Sequence, residues 1–203
     1  MTVTAIRQTS PGRLTVCFED GSEVKSTLGA VTELRLYSGR KLDDKQAEEF
    51  KLLSARFLAR ERALEIVSRR RMSEKELRDK LLQKGFDEDT ADYCVHWLSE
   101  NAFLNDEEYS LAVARHYAGK GYGEGRIRAE LSRRGIDREL WDEALCSAPD
   151  SSDKLRKFIS ARLKDPSDRD AVRKVSQALY RRGYSWDDIR TALGEFEADT
   201  EVY

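Results

Sequence analysis

Three times along this chain, two apolar residues four apart are followed, four positions later, by a glycine and another apolar residue. Leu77-x-x-x-Leu81-x-x-x-Gly85-Phe86 returns as Ile127-x-x-x-Leu131-x-x-x-Gly135-Ile136, and again as Val175-x-x-x-Leu179-x-x-x-Gly183-Tyr184. The glycines stand 50 and 48 residues apart, and a period of this size marks an array of similar helical units. Within each unit the paired apolar residues share one helix face. The glycine falls where a helix stops in the left-handed region, which glycine enters without steric cost. The apolar residue after it is placed to fold back on the preceding helix: Phe86 on Leu81, Ile136 on Leu131, Tyr184 on Leu179. One position further come Asp87, Asp137 and Ser185, all good helix starters. Each unit therefore predicts a helix, a tight glycine turn and a second helix, the second carrying Cys94-Val95, Ala144-Leu145 or Ala192-Leu193 at matching offsets.

A further helix is expected ahead of each pair. Its start in the second unit is Leu104-Asn105-x-x-Glu108-Tyr109, with Asn105 as the cap; Ser73-x-x-Glu76 is the same device at the second helix of the first unit. Phe50, Leu53, Phe57, Leu58, Leu64 and Val67 lie near one helical stripe. The first 27 residues have a different period. Leu14, Val16 and Phe18 alternate with Thr15, Cys17 and Glu19, and Asp20-Gly21 suits a tight hairpin leading to a return strand at Val24. Thr2 to Thr9 form a candidate third strand ahead of the Pro11-Gly12 turn. The expected fold class is mainly α, a tandem array of three three-helix repeats behind a small β-rich N-terminal extension. In residue ranges, 1–41 is the β-rich segment and 42–100 a long helix with repeat 1. Repeat 2 is 101–148, repeat 3 is 149–194, and 195–203 is an acidic tail of the kind that is usually disordered.

The residues that carry chemistry are sparse. There are two histidines, His96 and His116, and no Cys-x-x-Cys. Cys94 and His96, two apart on a helix, point away from each other, so no zinc site is expected. Three widely spaced cysteines argue against a disulfide framework and fit a reducing cytoplasm. No run approaches the roughly 18 apolar residues of a membrane helix, and Met1 to Val16 lacks the basic head and apolar stretch of a secretory signal. The Gly119–Gly125 segment, GKGYGEG, is glycine-rich and opens a helix, where backbone N–H groups can hold phosphate. It lacks the spacing of a nucleotide loop and follows a helix rather than a strand, so a flexible linker is expected there. No cofactor and no catalytic residue are expected.

A net charge of −2 argues against a dedicated DNA coat, so any nucleic-acid contact must come from a local basic face. Lys84, Arg134 and Arg182 precede the three repeat glycines, where a cation complements the helix dipole. Arg126 and Arg133, seven apart on the second helix of repeat 2, fall away from the apolar face and are expected to be exposed. Repeat 3 has Lys174 and Arg181 at the same positions, and repeat 1 has Glu76 and Gln83. These four cations are the candidate partner-binding stripe, with Arg128, Lys120 and Tyr122 beside it. The competing reading, at even weight, is a solvated face laced with ion pairs such as Arg126 with Glu130.

Several segments resemble the RecX family of RecA regulators. GKGYGEGRIRAELSRRGI, from Gly119 to Ile136, is similar to the most recognisable stretch of that family. Phe103-Leu104-Asn105-Asp106-Glu107-Glu108-Tyr109 resembles its entry into repeat 2, and Ser73-x-x-Glu76-Leu77-x-x-Lys80-Leu81-x-x-Lys84-Gly85-Phe86 its repeat 1. The match covers roughly residues 60 to 195 and is loosest in repeat 3. The resemblance implies an elongated helical array that lies along the groove of the RecA nucleoprotein filament. It implies a protein that limits filament growth, strand exchange and ATP hydrolysis; beside it, a monomer with room for a weak DNA contact is expected. It implies no chemistry and carries over no catalytic residue. A DNA-binding helical module, in which the units loosely resemble helix-turn-helix motifs, and a helical interaction scaffold are the alternatives. RecA dependence of binding separates them.

Overall fold

A computed structural model describes residues 1–201, which divide into two compact units, Met1–Leu104 and a second that begins at Asn105. The first unit opens with β1 (Val3–Ser10), β2 (Arg13–Phe18) and β3 (Glu23–Thr27), a meander in which neighbouring strands run antiparallel. Gly21, at φ +82°, makes the expected turn between β2 and β3. A short helix α1 (Leu28–Glu33) leads to the 24-residue α2 (Asp44–Val67), which starts on an Asp43–Gln46 capping box. The sheet cannot bury its inner face alone. Val3, Val16 and Phe18 pack on Ala47 and Phe50 from the first half of α2, and the Ser26 and Ser54 hydroxyls bond across the same contact at 2.9 Å. The second half of α2 supplies Ala59 and Ala63 to another core, with Leu77 and Leu81 of α3 (Glu74–Gln83) and Ala91, Cys94 and Leu98 of α4 (Glu88–Glu100). Thus α2 is the first helix of repeat 1 and also the lid of the sheet.

The second unit holds repeats 2 and 3. Repeat 2 is α5 (Asp106–Gly119), α6 (Glu124–Arg133) and a 3₁₀ turn (Arg138–Leu140) running into α7 (Trp141–Cys146). Its core is Tyr109, Val113, Ala114, Ile127, Leu131, Ile136 and Ala144, among others. Repeat 3 is α8 (Ser152–Ser160), α9 (Arg169–Arg181) and α10 (Trp186–Glu201), around Leu155, Ile159, Val175, Leu179, Tyr184 and Ile189. The last helix runs on to Glu201, so the acidic stretch expected as a tail begins inside α10. The side chains of Asp199 and Glu201, and residues 202–203, lie outside the described residues.

The repeat glycines stop their helices as the spacing predicts. Gly85, Gly135 and Gly183 have φ of +88°, +69° and +89°. In each case the N–H of the following residue donates back to the apolar residue four before the glycine: Phe86 to Leu81 at 3.3 Å, Ile136 to Leu131 at 3.1 Å, Tyr184 to Leu179 at 3.3 Å. This satisfies carbonyls that a helix end otherwise orphans. The same closure ends α4, where Phe103 N–H donates to Leu98 at 2.8 Å, but the left-handed residue is Ala102, at φ +58°. An L side chain there costs about 1–2 kcal/mol, more than the unfolded-state entropy that glycine adds, about 0.4–1 kcal/mol. Ala102→Gly is therefore expected to stabilise the first unit by about 1 kcal/mol in urea unfolding. A loss of stability would mean that the Ala102 methyl makes contacts worth more than the strain.

Candidate partner-binding surface

On α6, Arg126 and Arg133 flank Glu130, one turn from each. Arg126 Nη2 donates to Glu130 Oε1 at 3.0 Å and Arg133 Nη2 to Oε2 at 2.9 Å. The Glu130 side chain is 6% exposed while those of Arg126 and Arg133 are 47% and 61% exposed. The exposure expected of Arg126 and Arg133 and the expected Arg126–Glu130 ion pair are both present: the guanidinium groups reach solvent, and they also neutralise a buried carboxylate. Burial pushes the Glu130 carboxyl up, but hydrogen bonds from Arg133 and Tyr117 and the charges of Arg133 and Arg126 outweigh it, leaving the carboxyl below its usual range. A lowered folded value means the carboxylate stabilises the fold above its unfolded value and loses that contribution as pH falls through the lower, folded one. Glu130→Gln is expected to cost about 1–3 kcal/mol at neutral pH and to shrink the loss of stability between neutral and acid pH. A parallel displacement of the whole stability–pH curve, with its acid limb unchanged, would contradict this role.

The matching pair on α9 is not held in this way. Lys174 is exposed and lines a shallow depression with Arg162, Asp168 and Asp170. Arg181 is exposed, its Nε donating to the Gln177 carbonyl at 3.3 Å. Of the three neighbours, Lys120 is exposed at the end of α5. Arg128 is engaged by Glu124 at 2.6 Å and by Asp142 of α7 at 3.3 Å. Tyr122 is half-buried against Tyr117, with the Arg126 and Arg182 guanidiniums over its ring at 6.0 and 5.4 Å.

The glycine-rich segment is a joint, which corrects the expectation of a flexible linker. Gly121, at φ +75°, closes α5 by letting Tyr122 N–H donate to Tyr117. Gly123 then caps α6 with no side chain, and its N–H donates to the Arg182 carbonyl at 3.0 Å; Gly125 N–H donates to the Gly183 carbonyl at 2.9 Å. The orphan donors at the start of α6 thus meet the orphan acceptors at the end of α9. A phosphate would have to displace those carbonyls, so the helix start is already occupied. The approach is too close for any Cβ: one built on Gly123 would lie 2.4 Å from the Gly183 oxygen, and one on Gly183 would lie 2.2 Å from the Arg126 nitrogen. Lys154 and Arg182 seal the joint by donating to the Ala118 and Gly121 carbonyls, each at 3.3 Å. Arg182, read from sequence as a dipole partner of α9, therefore also ties the end of α9 to the turn between α5 and α6. The joint sets Arg126 against Gly183, two residues along the chain from Arg181. The signal for it was the alternate-residue run Gly121, Gly123, Gly125, in which every second residue lacks a Cβ.

Among the described residues no group of three or more His, Cys, Asp and Glu side chains is placed to hold a metal ion. No described helix is long and apolar enough to cross a membrane. Cys94 is buried in the repeat 1 core while His96 is exposed on the same helix, beside Glu100.

Comparison with known proteins accords with this architecture repeat by repeat. Family models described as the first, second and third three-helix domains of RecX match residues 59–98, 105–145 and 153–193. A regulatory protein RecX of Xanthomonas axonopodis pv. citri is 38% identical over 135 residues, 65% of this chain and 83% of that protein. One from Clostridium botulinum is 32% identical over 174 residues, 80% of this chain and 82% of that protein. A solved structure of a regulatory protein RecX superimposes with a TM-score of 0.72 at 22% identity, over 94% of this chain and 98% of that one. The RecX structure from Lactobacillus salivarius gives 0.63 at 26% identity, over 71% and 97%. With each of its three helical triplets matched in order by the corresponding domain model, and with relatives that are named regulatory proteins, the chain belongs to the RecX family.

Proposed function

We propose that the chain regulates RecA in the cytoplasm, binding the recombinase and its nucleoprotein filament and restraining filament growth, strand exchange and ATP hydrolysis. The family supplies the partner. The observation that supports the mode is the joint in the second unit, which holds α6 and α9 together while Arg126, Arg133, Lys174 and Arg181 reach solvent. Cations fixed on adjoining helices meet a filament surface of acidic side chains or backbone phosphate with little ordering cost. The chain performs no chemistry and needs no cofactor in this reading.

The test is RecA-dependent ATP hydrolysis and strand exchange on single-stranded DNA with increasing amounts of the full chain. Both rates are expected to fall, and the chain alone is expected to hydrolyse no ATP. Strand exchange indifferent to the chain would overturn the proposal. Tight DNA binding that does not respond to RecA would favour the DNA-module reading instead.

A further inference from the structure

Repeat 1 lacks the stripe of repeats 2 and 3, yet it carries a basic feature of another kind. Between the C-terminal ends of α2 and α3 lies an open cleft of about 370 Å³, bordered by Arg62, Arg69 and Arg70 on one side and Lys80 and Lys84 on the other. No acidic residue lines it. Two carboxylates stand close by and engage the arginines: Glu65 holds Arg62 and Arg69, the latter at 2.6 Å, and Glu76 reaches Arg70 at 3.5 Å. The lysines have no such partner. No carboxylate among the described residues pairs with Lys80 or Lys84, and Lys80 is half-buried. The end of the α3 dipole favours cations there, but it does not account for three arginines facing them across the same cleft. With the arginines engaged by Glu65 and Glu76, Lys80 and Lys84 are the cations of the cleft left without a carboxylate, and an entering anion would pair with them.

We infer that this cleft binds an acidic peptide segment of a partner protein, its carboxylates on the Lys80/Lys84 and Arg69/Arg70 walls and an aliphatic side chain between them. The choice of peptide over nucleic acid rests on what else lines the cleft. Ile66 and the Met72 side chain are its apolar members, and no aromatic ring borders it. Single-stranded nucleic acid is held by cations along a track with rings on which bases stack. A compact concave cluster with Ile66 and Met72 set among its cations instead fits carboxylates flanking one apolar residue. The contact is electrostatic at its rim and weakens as salt rises. It stands apart from the regulatory reading, because no recombinase enters the assay.

The probe is a fluorescein-labelled decapeptide of glutamates with leucine at every third position, set against a labelled ten-nucleotide oligothymidylate. Both are titrated with the full chain at low salt and followed by fluorescence anisotropy. Peptide binding is expected to fall at least about tenfold in K80E/K84E, since two attractions become repulsions, and to persist in K80R/K84R. Oligothymidylate binding is expected to be weaker than peptide binding and indifferent to these changes. Circular dichroism checks the fold; should K80E/K84E melt early, K80Q/K84Q carries the same test with a smaller loss. A peptide that does not bind, or binds the folded charge variants as it binds the wild type, overturns the proposal. An oligonucleotide that binds more tightly and is lost with Lys80 and Lys84 also overturns it and assigns the cleft to nucleic acid.

Discussion

Alanine at position 183 is expected to cost the second unit about 3–5 kcal/mol, against about 1 kcal/mol for alanine at position 85 in the first. The two glycines have nearly the same backbone, φ +89° and +88°, so the left-handed strain is common to both. Their surroundings differ. A Cβ on Gly85 meets open space, whereas one on Gly183 lies 2.2 Å from the backbone nitrogen of Arg126, which no rotamer change can move aside. Relief requires α9 to back away from α6, and the bonds from Gly123 and Gly125 to Arg182 and Gly183 are then lost. Urea unfolding followed by hydrogen exchange separates the two units, and Trp97 on one side with Trp141 and Trp186 on the other provide fluorescence readouts. Equal losses at the two positions would show that the second unit absorbs the clash and that the joint is soft. On the proposed function, the same variant is expected to restrain RecA less well even where its helices survive, because α6 and α9 are no longer held together.

Reversal of Lys174 and Arg181 to glutamate is expected to lower the affinity for the RecA filament by about 10–100-fold, with the stability of the chain nearly unchanged. Both side chains are exposed and neither holds a buried carboxylate, so glutamate at these helix positions is tolerated. Arg126 and Arg133 require a gentler change. Glutamate at either would set a second negative charge beside the buried Glu130 and confound folding with binding, so R126Q/R133Q is the matching variant on α6, accompanied by its own melting curve. The readout is inhibition of RecA-dependent strand exchange across a salt series. Wild-type inhibition is expected to weaken with salt, and the Lys174/Arg181 variant to show a weaker effect with a shallower salt dependence. Unchanged inhibition by a folded K174E/R181E variant would reduce the stripe to a solvated surface.

The helical array was legible because its signals are local. The Leu77/Leu81/Gly85/Phe86 pattern specifies a helix, its stop and the fold-back of the next residue within ten positions, and caps such as Ser73 and Asn105 act over three more. The β meander was legible for the same reason, through the period of Leu14, Val16 and Phe18 and the Asp20-Gly21 turn. The joint depends instead on Gly183 lying against Gly123, 60 residues earlier. A glycine that stops its helix gives no sign that its missing Cβ is also needed by another helix. Glu130 shows the same limit. Its neighbours Arg126 and Arg133 are separated from it by helical spacing alone, but its burial comes from packing that one helix does not encode. The cations of the repeat 1 cleft share no helical period because they come from two helices and the turn between them.

Because α2 closes the sheet with Phe50 and Ala47 and builds repeat 1 with Ala59 and Ala63, those cores share one continuous backbone. At about 1.5 Å per residue its 24 residues span about 36 Å. Melting either half frays the hydrogen bonds that continue into the other, so the β segment and repeat 1 are expected to unfold as a single cooperative foldon. A fragment cut at residue 42 to isolate the three repeats would carry the whole of α2 with Ala47 and Phe50 stripped of the sheet that covers them. Trimming the chain to its recognisable repeats therefore invites aggregation rather than a minimal regulator.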